Sequence, residues 1–336
     1  MRLLVLGGTS FVGRHLVELA VAEDHAVTVF HRGRTNPDLL RGRIEHLLGD
    51  RDVGDYTALE GAESWDAAVD VTAFVPRHVD QLLSIVQGRI GHYVQVSSVS
   101  AYDPKRATVD EDSPLYPDPP AGTELVDSES YGPLKAACER TAACRLGESM
   151  MSIVRPAYVC GPHDNEESFT YWARRMAEGG DVVIRDASAP MQIIDVRDLV
   201  AFLLLCAVNR VSGAFDGVGP FAPTAELLAE ITPEGVEARL VEIDAVTLAA
   251  AGITLPMMLD DLNDSVISSR PGTRARRAGL TTRSAAATAQ ATRAWDDARG
   301  RPPLPVGPSR EQEAAVLAHG SGRRSLPPSR SSGPPS

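Results

Sequence analysis

Residues 2–13 read Arg2-Leu3-Leu4-Val5-Leu6-Gly7-Gly8-Thr9-Ser10-Phe11-Val12-Gly13. The unbroken apolar run Leu3–Leu6 predicts a short strand buried on both faces, as in a parallel sheet. Beyond the glycines, Val12, Leu16, Leu19 and Ala20 recur at helical spacing, so a helix is expected over 11–22. Strand, tight turn and helix together make a phosphate cradle. Gly7 lets the chain leave the strand sharply, and Gly13 lets the helix pack closely on it. The helix N-terminus offers free N–H groups and the positive end of a dipole to a pyrophosphate. Ser10 stands where the pattern Gly-x-x-Gly-x-x-Gly would place its middle glycine. Its hydroxyl can donate to phosphate, at the cost of a wider backbone approach. The stretch predicts a nicotinamide-dinucleotide site in which Gly7, Thr9, Ser10, Phe11, Val12 and Gly13 bind the cofactor.

Working outward, apolar runs predict further strands at 26–30, 44–48, 67–71, 93–96 and 151–154, with helices over 77–86 and 130–145 between them. Strands alternating with helices imply parallel pairing and right-handed crossovers. The expected fold is α/β, a doubly wound parallel-sheet Rossmann fold with a smaller C-terminal α/β substrate-binding part. Residues 1–160 form the dinucleotide-binding domain, with strands returning from about 190–220 around an apolar helix at 198–208. Residues 161–317 are mainly substrate-binding, with a last helical piece at 312–317. Residues 318–336 are rich in Ser, Pro, Arg and Gly and are expected to be disordered.

Composition excludes several function classes. The chain has 336 residues, and 43% hydrophobic content is enough for a sizeable core. A formal net charge of −12 repels phosphate backbones, so no nucleic-acid partner is expected. The longest apolar run, Leu199–Val208, is too short to span a bilayer, and no membrane association is expected. No signal peptide precedes the first strand, and Cys138, Cys144, Cys160 and Cys206 lack any CxxC spacing. Reduced thiols in a cytoplasmic protein follow. The histidines show no metal-ligand spacing, so no metal is expected.

The second strand is followed by His31-Arg32-Gly33-Arg34. A site that prefers NAD carries an acid there to hold the ribose hydroxyls. Two guanidiniums instead suit a 2′-phosphate, with Arg32 the main partner and Arg34 beside it. NADP is therefore the expected cofactor, with NAD possible. Asp50, ending the third strand, either accepts from the adenine amine or simply forms a turn. Arg51, Thr72 and Ala73 are further cofactor-binding candidates.

Only two lysines occur among 33 basic residues, Lys105 and Lys135. Arginine can replace a surface lysine but not a compact ammonium at a reacting centre. Tyr131 and Lys135 stand four apart in Tyr131-Gly132-Pro133-Leu134-Lys135, on one face of a helix that Ser128 or Ser130 can cap. Pro133 is tolerated because it falls in the first turn. A phenol holds its proton to about pH 10, and a nearby ammonium favours the phenolate. Tyrosine then becomes a usable general acid and base. Ser98, at the carboxyl end of the fifth strand, is where an α/β sheet would place a hydroxyl to hold the substrate oxygen. Ser98, Tyr131 and Lys135 are the catalytic candidates.

The ordered motifs Gly7–Gly13, Ser97-Ser98-x3-Tyr102, Tyr131-x3-Lys135 and Arg155-Pro156-x4-Gly161-Pro162 resemble the extended short-chain dehydrogenase/reductase superfamily, in its NAD(P)-dependent epimerase/dehydratase branch. The likeness covers about residues 1–300. It implies Ser98 as the catalytic serine, Tyr131 as acid and base, and Lys135 as the residue that also holds the nicotinamide ribose. It also implies that Pro156 and the residues after it flank the nicotinamide. Ser10 and the His-Arg end of the second strand resemble the atypical, reductase-like members. Those often have degenerate sites, but this chain keeps Ser, Tyr and Lys, so a working enzyme is expected.

Dehydratases of the superfamily carry an acidic pair after the catalytic hydroxyl. Val99-Ser100 stands there instead and argues against dehydration. The expectation is a reductase or dehydrogenase acting on a carbonyl or hydroxyl carbon of a small polar metabolite. A nucleotide-sugar or sugar epimerase with retained NAD(P) is the alternative, and a non-catalytic dinucleotide sensor or an RNA-binding relative is a further one. The resemblance also allows a homodimer. His163, Asp164, Tyr171, Trp172, Arg175 and Gln192 are candidates for the substrate pocket or for packing. Asp195, Arg197 and Asp198 read as a helix cap with a local ion pair. Asp70 or Asp80 can be a fourth polar partner at the site.

Overall fold

The computed structural model of the chain describes residues 1–106, 108, 110–258, 267–319 and 324–325. It begins with β1 (Arg2–Leu6), α1 (Phe11–Ala22), β2 (Ala26–His31), β3 (Glu45–Leu48), α2 (Thr57–Glu60), β4 (Ala67–Asp70) and α3 (Pro76–Val86). Then come β5 (Tyr93–Val96), α4 (Tyr131–Leu146), β6 (Met151–Pro156), β7 (Tyr158–Cys160), α5 (Ser168–Glu178), β8 (Gly180–Ile184) and β9 (Pro190–Asp195). After these run α6 (Val196–Asn209), β10 (Gly213–Gly217), β11 (Phe221–Pro223), α7 (Thr224–Ile231), β12 (Ala238–Glu242) and α8 (Ala245–Ala250). The last elements are α9 (Thr273–Arg277), α10 (Ala285–Ala298), α11 (Arg310–His319) and β13 (Arg324–Ser325). Two compact units result. Met1–Val159, Ile194–Gly219 and Val266–Thr282 form one; Cys160–Ile193, Pro220–Ser265 and Arg283–Ser336 form the other.

In the first unit a seven-stranded sheet runs β10-β6-β5-β4-β1-β2-β3. Every pairing in it is parallel. β1 lies inside the sheet, with Leu3 opposite Val27 on one side and Ala67 on the other. Its apolar run is uninterrupted because both faces are covered. Leu3 and Val5 join Leu16 and Val17 of α1 and Leu199 and Leu203 of α6 in one layer. Leu4 and Leu6 join Val79, Leu82 and Leu83 of α3 and Cys138 of α4 in the other. Each such fully buried aliphatic side chain contributes about 1.5–3 kcal/mol. Strand order reverses between β1 and β4, which opens a crevice at their carboxyl ends, where such sheets bind ligands.

Boundaries shift where tertiary pairing extends an element. β6 continues through Arg155 and Pro156 because Asp216 and Gly217 of β10 pair with them. α4 begins at Tyr131, but neither serine caps it through its side chain. The Ser130 hydroxyl donates to Leu125 O at 2.6 Å, and the Asp127 carboxylate gathers the amides of Glu129 and Ser130. The Ser130 hydroxyl also accepts from Asp127 N at 2.9 Å, so it is engaged by the preceding turn rather than by the helix, and that corrects the capping expectation.

The second unit contains parallel β8 and β12, with β13 antiparallel to β12. Trp172 is fully buried there and donates to Pro256 O at 2.8 Å. Arg175, also buried, pairs with Glu313 at 2.6 Å. Both side chains make internal partners, the packing alternative weighed for them. The tail expected to be disordered falls, apart from 318–319 and 324–325, outside the described residues. Among the described residues no helix is long and apolar enough to cross a membrane.

Candidate dinucleotide and catalytic site

The glycine turn is as tight as its sequence demands. Gly7 has φ +81°, and a Cβ on Gly13 would lie 2.1 Å from Gly7 O. Any larger residue at Gly13 would push α1 off the turn. Ser10 occupies the N-cap of α1 in extended conformation, and its side chain makes no capping hydrogen bond. The hydroxyl and the first-turn amides are thus left for a ligand, and a pyrophosphate fits this cradle. Asn36 was not foreseen. Its side-chain amide donates to Thr9 O at 2.9 Å and ties the β2–β3 loop to the turn. Only its place in Thr35-Asn36-Pro37, a turn sequence, marks it in the chain.

A cavity of about 690 Å³ opens at the carboxyl ends of β1, β2, β3 and β4. Of the expected cofactor residues, Gly7, Thr9, Ser10, Arg32, Arg34, Asp50, Arg51 and Thr72 line it. Phe11, Val12 and Gly13 lie in the first turn of α1, next to it in the chain. Ala73 is buried, and Pro156 ends β6 opposite Gly217. Sequence reasoning missed Asp52, Phe74, Arg77, His78 and Glu124 in the wall. Arg77 binds Glu124 bidentately at 2.6 and 2.9 Å and also donates to Arg51 O at 3.1 Å.

Neither guanidinium of the expected phosphate pair stands alone. Arg32 meets Asp52 at 2.9 Å, and Arg34 meets Asp50 at 3.3 Å. Asp50 also accepts from Asp52 N at 3.0 Å, so it forms the turn and lines the cavity at once. Arg51 turns inward, binding both oxygens of Asp70 at 2.7 and 2.9 Å and the Thr72 hydroxyl at 2.9 Å. Burial alone would raise the Asp70 carboxyl. The Arg51 guanidinium overrides it and holds the group below the usual carboxylate value. The fourth-partner candidates therefore separate. Asp70 is locked into this buried pair, and Asp80 pairs with Arg145 at 2.6 Å.

Ser98, Tyr131 and Lys135 are not among the residues that line this cavity. They stand beyond Phe74. Lys135 is buried, and its Nζ donates to Ala73 O at 3.0 Å and Val96 O at 2.9 Å. The same ammonium faces the Phe74 ring at 4.8 Å and the Tyr131 ring at 5.8 Å. Phe74 thus links the cavity wall to the Lys135 ammonium. Ser98 caps the short turn Val99–Ala101 by accepting from Ser100 N at 3.1 Å. α4 packs on that turn, and a Cβ on Gly132 would lie 2.3 Å from Ser100 O.

The other motif residues support this corner from below. Glu139, one turn after Lys135, accepts from Ser97 Oγ at 2.5 Å and from Arg155 at 2.6 and 3.0 Å. Arg155 donates to the Tyr102 hydroxyl, which donates to Asp216, each at 2.7 Å. Arg270 closes the network at 2.5 Å from Asp216, with its guanidinium 3.5 Å from the Tyr102 ring centre. Glu139 was legible only as the fourth residue after Lys135, on the same helical face. Asp195 accepts from Arg197 N at 2.8 Å and pairs with its guanidinium at 2.6 Å, the cap and local ion pair expected. In the second unit, burial pushes the Asp164 carboxyl up to about 6.

The sequence pattern of the NAD dependent epimerase/dehydratase family matches residues 3–215. The chloroplast stem-loop binding protein of 41 kDa b from Arabidopsis thaliana is 26% identical over 228 residues, covering 63% of this chain and 56% of that protein. The chain thus spans about half the length of that curated relative. The enzyme WbmG of Bordetella bronchiseptica, solved in complex with NAD, superposes with TM-score 0.64 at 18% identity, over 92% of this chain and 98% of that one. PA4631, a nucleoside-diphosphate-sugar epimerase from Pseudomonas aeruginosa, gives 0.66 at 19% identity, over 90% and 99%. At such identities the likeness is one of fold. The family match spans β1 to β10, the whole seven-stranded sheet, and the chain therefore belongs to the NAD dependent epimerase/dehydratase family, whose enzymes depend on NAD.

Proposed function

We propose that the first unit binds NAD, and that the protein oxidises and re-reduces a carbinol carbon of a nucleotide-linked sugar, as an epimerase does. The observation that carries this is the seat of Lys135, buried on two strand-end carbonyls beside Tyr131. Tyr131 Oη takes the hydroxyl proton as the carbonyl forms and returns it after the face of attack has changed. Ser98 Oγ holds the substrate oxygen in register with that phenol. Gly7, Thr9, Ser10, Phe11, Val12 and Gly13 would hold the pyrophosphate. Asp50, Arg51 and Thr72 would face the adenosine half, and Ala73 and Pro156 would border the nicotinamide. NAD supplies hydride acceptance and return when bound there. The second unit would be the mainly substrate-binding part. WbmG with NAD and the Pseudomonas epimerase support retention of the cofactor over net reduction.

The reductase reading draws on Arg32 and Arg34, which suit NADP, but each already faces a carboxylate. Denaturing the purified protein and identifying the released nucleotide separates the two readings. Stoichiometric NAD, together with epimerised product from a panel of nucleotide sugars, supports the proposal. NADPH consumed in proportion to a reduced ketone overturns it. The stem-loop binding relative favours one further reading, RNA recognition, with Arg274, Arg276 and Arg277 of α9 as a basic cluster. A mobility shift with hairpin RNA at physiological salt would establish it.

A further inference from the structure

The β2–β3 loop carries Arg32, Arg34 and Thr35 to the cavity, and two histidines hold its ends. His31, the last residue of β2, is buried and lines the cavity. Its Nδ1 lies 3.0 Å from Gly33 N, and its Nε2 lies 2.9 Å from His46 Nδ1. His46 Nε2 in turn lies 3.1 Å from Leu39 O. The protons on this chain are fixed from both ends. Gly33 N–H can only donate, so His31 Nδ1 accepts and its Nε2 carries the hydrogen. Leu39 O can only accept, so His46 Nε2 carries a hydrogen and its Nδ1 accepts. The two deductions agree, and all three bonds exist only when both rings are neutral. A proton added to His31 Nδ1 would face the Gly33 N–H, and one added to His46 Nδ1 would face the His31 Nε2–H.

We propose that His31 and His46 are positioning residues for the nucleotide: a two-imidazole relay that holds the β2–β3 loop in its binding form while neutral and releases it when protonated. The proposal rests on the cavity's being the dinucleotide site. Burial and then the neighbouring His46 lower the His31 pKa, which keeps that ring neutral at physiological pH. Other charged groups nearby are accounted for. Arg32, Arg34, Asp50, Arg51 and Asp52 line the same cavity and face one another as the pairs Arg32–Asp52 and Arg34–Asp50, with Arg51 on Asp70. Glu45, beside His46, accepts from the Thr28 hydroxyl at 2.8 Å. α1, packed on β2, carries Arg14 and Glu18, paired at 2.8 Å, and His15 against Phe11.

The test is a pH titration of the full-length protein labelled with nitrogen-15. Long-range imidazole correlations should show both rings as Nε2–H tautomers at about pH 7.5, with His31 protonating only below the ordinary value of about 6.5. The Gly33 amide should move with the same midpoint. Calorimetry with NAD, which lacks a titrating 2′-phosphate, should show affinity falling about tenfold towards pH 5.5, the equivalent of one lost hydrogen bond. His31→Gln with His46→Gln rebuilds the donor–acceptor order without titratable rings, and its affinity should not change with pH. An Nδ1–H tautomer at either ring, a His31 midpoint at or above about 6.5, or a Gly33 amide blind to the His31 ring overturns the relay. Affinity that ignores ring protonation overturns the positioning role. A protein that binds no dinucleotide at any pH defeats the cofactor reading instead, and the Gly33 titration then still decides whether the loop is held by the relay.

Discussion

Lys135 follows Tyr131 by one helical turn on α4, and its ammonium lies 5.8 Å from the centre of the Tyr131 ring, anchored from below by Ala73 O and Val96 O. Lys135→Met would leave both carbonyls unmet in a buried corner. Stability should fall by about 1–3 kcal/mol, and turnover by about 10²–10⁴. Tyr131→Phe should lose comparable activity while its melting temperature stays close to wild type. Thermal denaturation beside initial rates separates the two, and equal destabilisation by both variants would contradict the anchoring role.

Cofactor choice turns on a competition between Arg32 and Asp52. Their pair is exposed on both sides and contributes at most about 1 kcal/mol. Asp52→Ser would free the guanidinium and remove a repelling carboxylate, so affinity for NADP should rise by about tenfold with little change for NAD. Arg32→Ala should weaken NADP more than NAD. Titrations with both dinucleotides read this directly, and an unchanged NADP:NAD ratio in Asp52→Ser would count against it.

Arg51 and Asp70 form a buried bidentate pair, so removing one partner strands the other. Asp70→Asn should cost about 3–5 kcal/mol in chemical denaturation. The carboxyl sits below its usual value when folded, so its stabilisation is complete above the unfolded pKa of about 3.9 and is lost as pH falls through the lowered value. The acid limb of the stability curve should therefore flatten in the variant.

His92 gives the opposite group with the same direction of loss. Burial, then Arg210, pushes its pKa down to about 4, and its Nε2 lies 2.7 Å from Ser152 Oγ, which donates to Val211 O. The ring must therefore donate and stay neutral. Its unfolded counterpart protonates at about 6.5, so stability should drop by about 3 kcal/mol between there and pH 4. The gap between the wild-type and His92→Gln denaturation midpoints should be constant above about pH 6.5 and shift against the wild type as pH falls from there to about 4.

The sheet was readable because β1 is buried on both faces and its residues say so without a break, and the same holds for β4 and β5. β8 was not, since Gly180 and Asp181 interrupt a run whose apolar part is only Val182–Ile184. Tyr131 and Lys135 were legible from spacing, and Arg32 from its place after β2. Asp52, which competes for Arg32, lies twenty residues later in a turn that no periodicity marks. His31 read only as the residue after the second strand, and His46 as one residue of the third. Only the parallel register of β2 and β3, with Val29 opposite His46, brings their rings together.

Asp216 lies one residue before the end of β10, yet the guanidinium paired with it comes from Arg270, after the chain has left this unit at residue 219 and come back. During synthesis β10 would emerge with its buried carboxylate uncompensated until some fifty more residues had left the ribosome. Completion of the nucleotide-binding unit is thus deferred, and a fragment stopped just after β10 should accumulate as a sheet with its last strand loose. For this chain the shortest piece expected to fold as a nucleotide-binding unit is the one that still includes the return segment through Thr282.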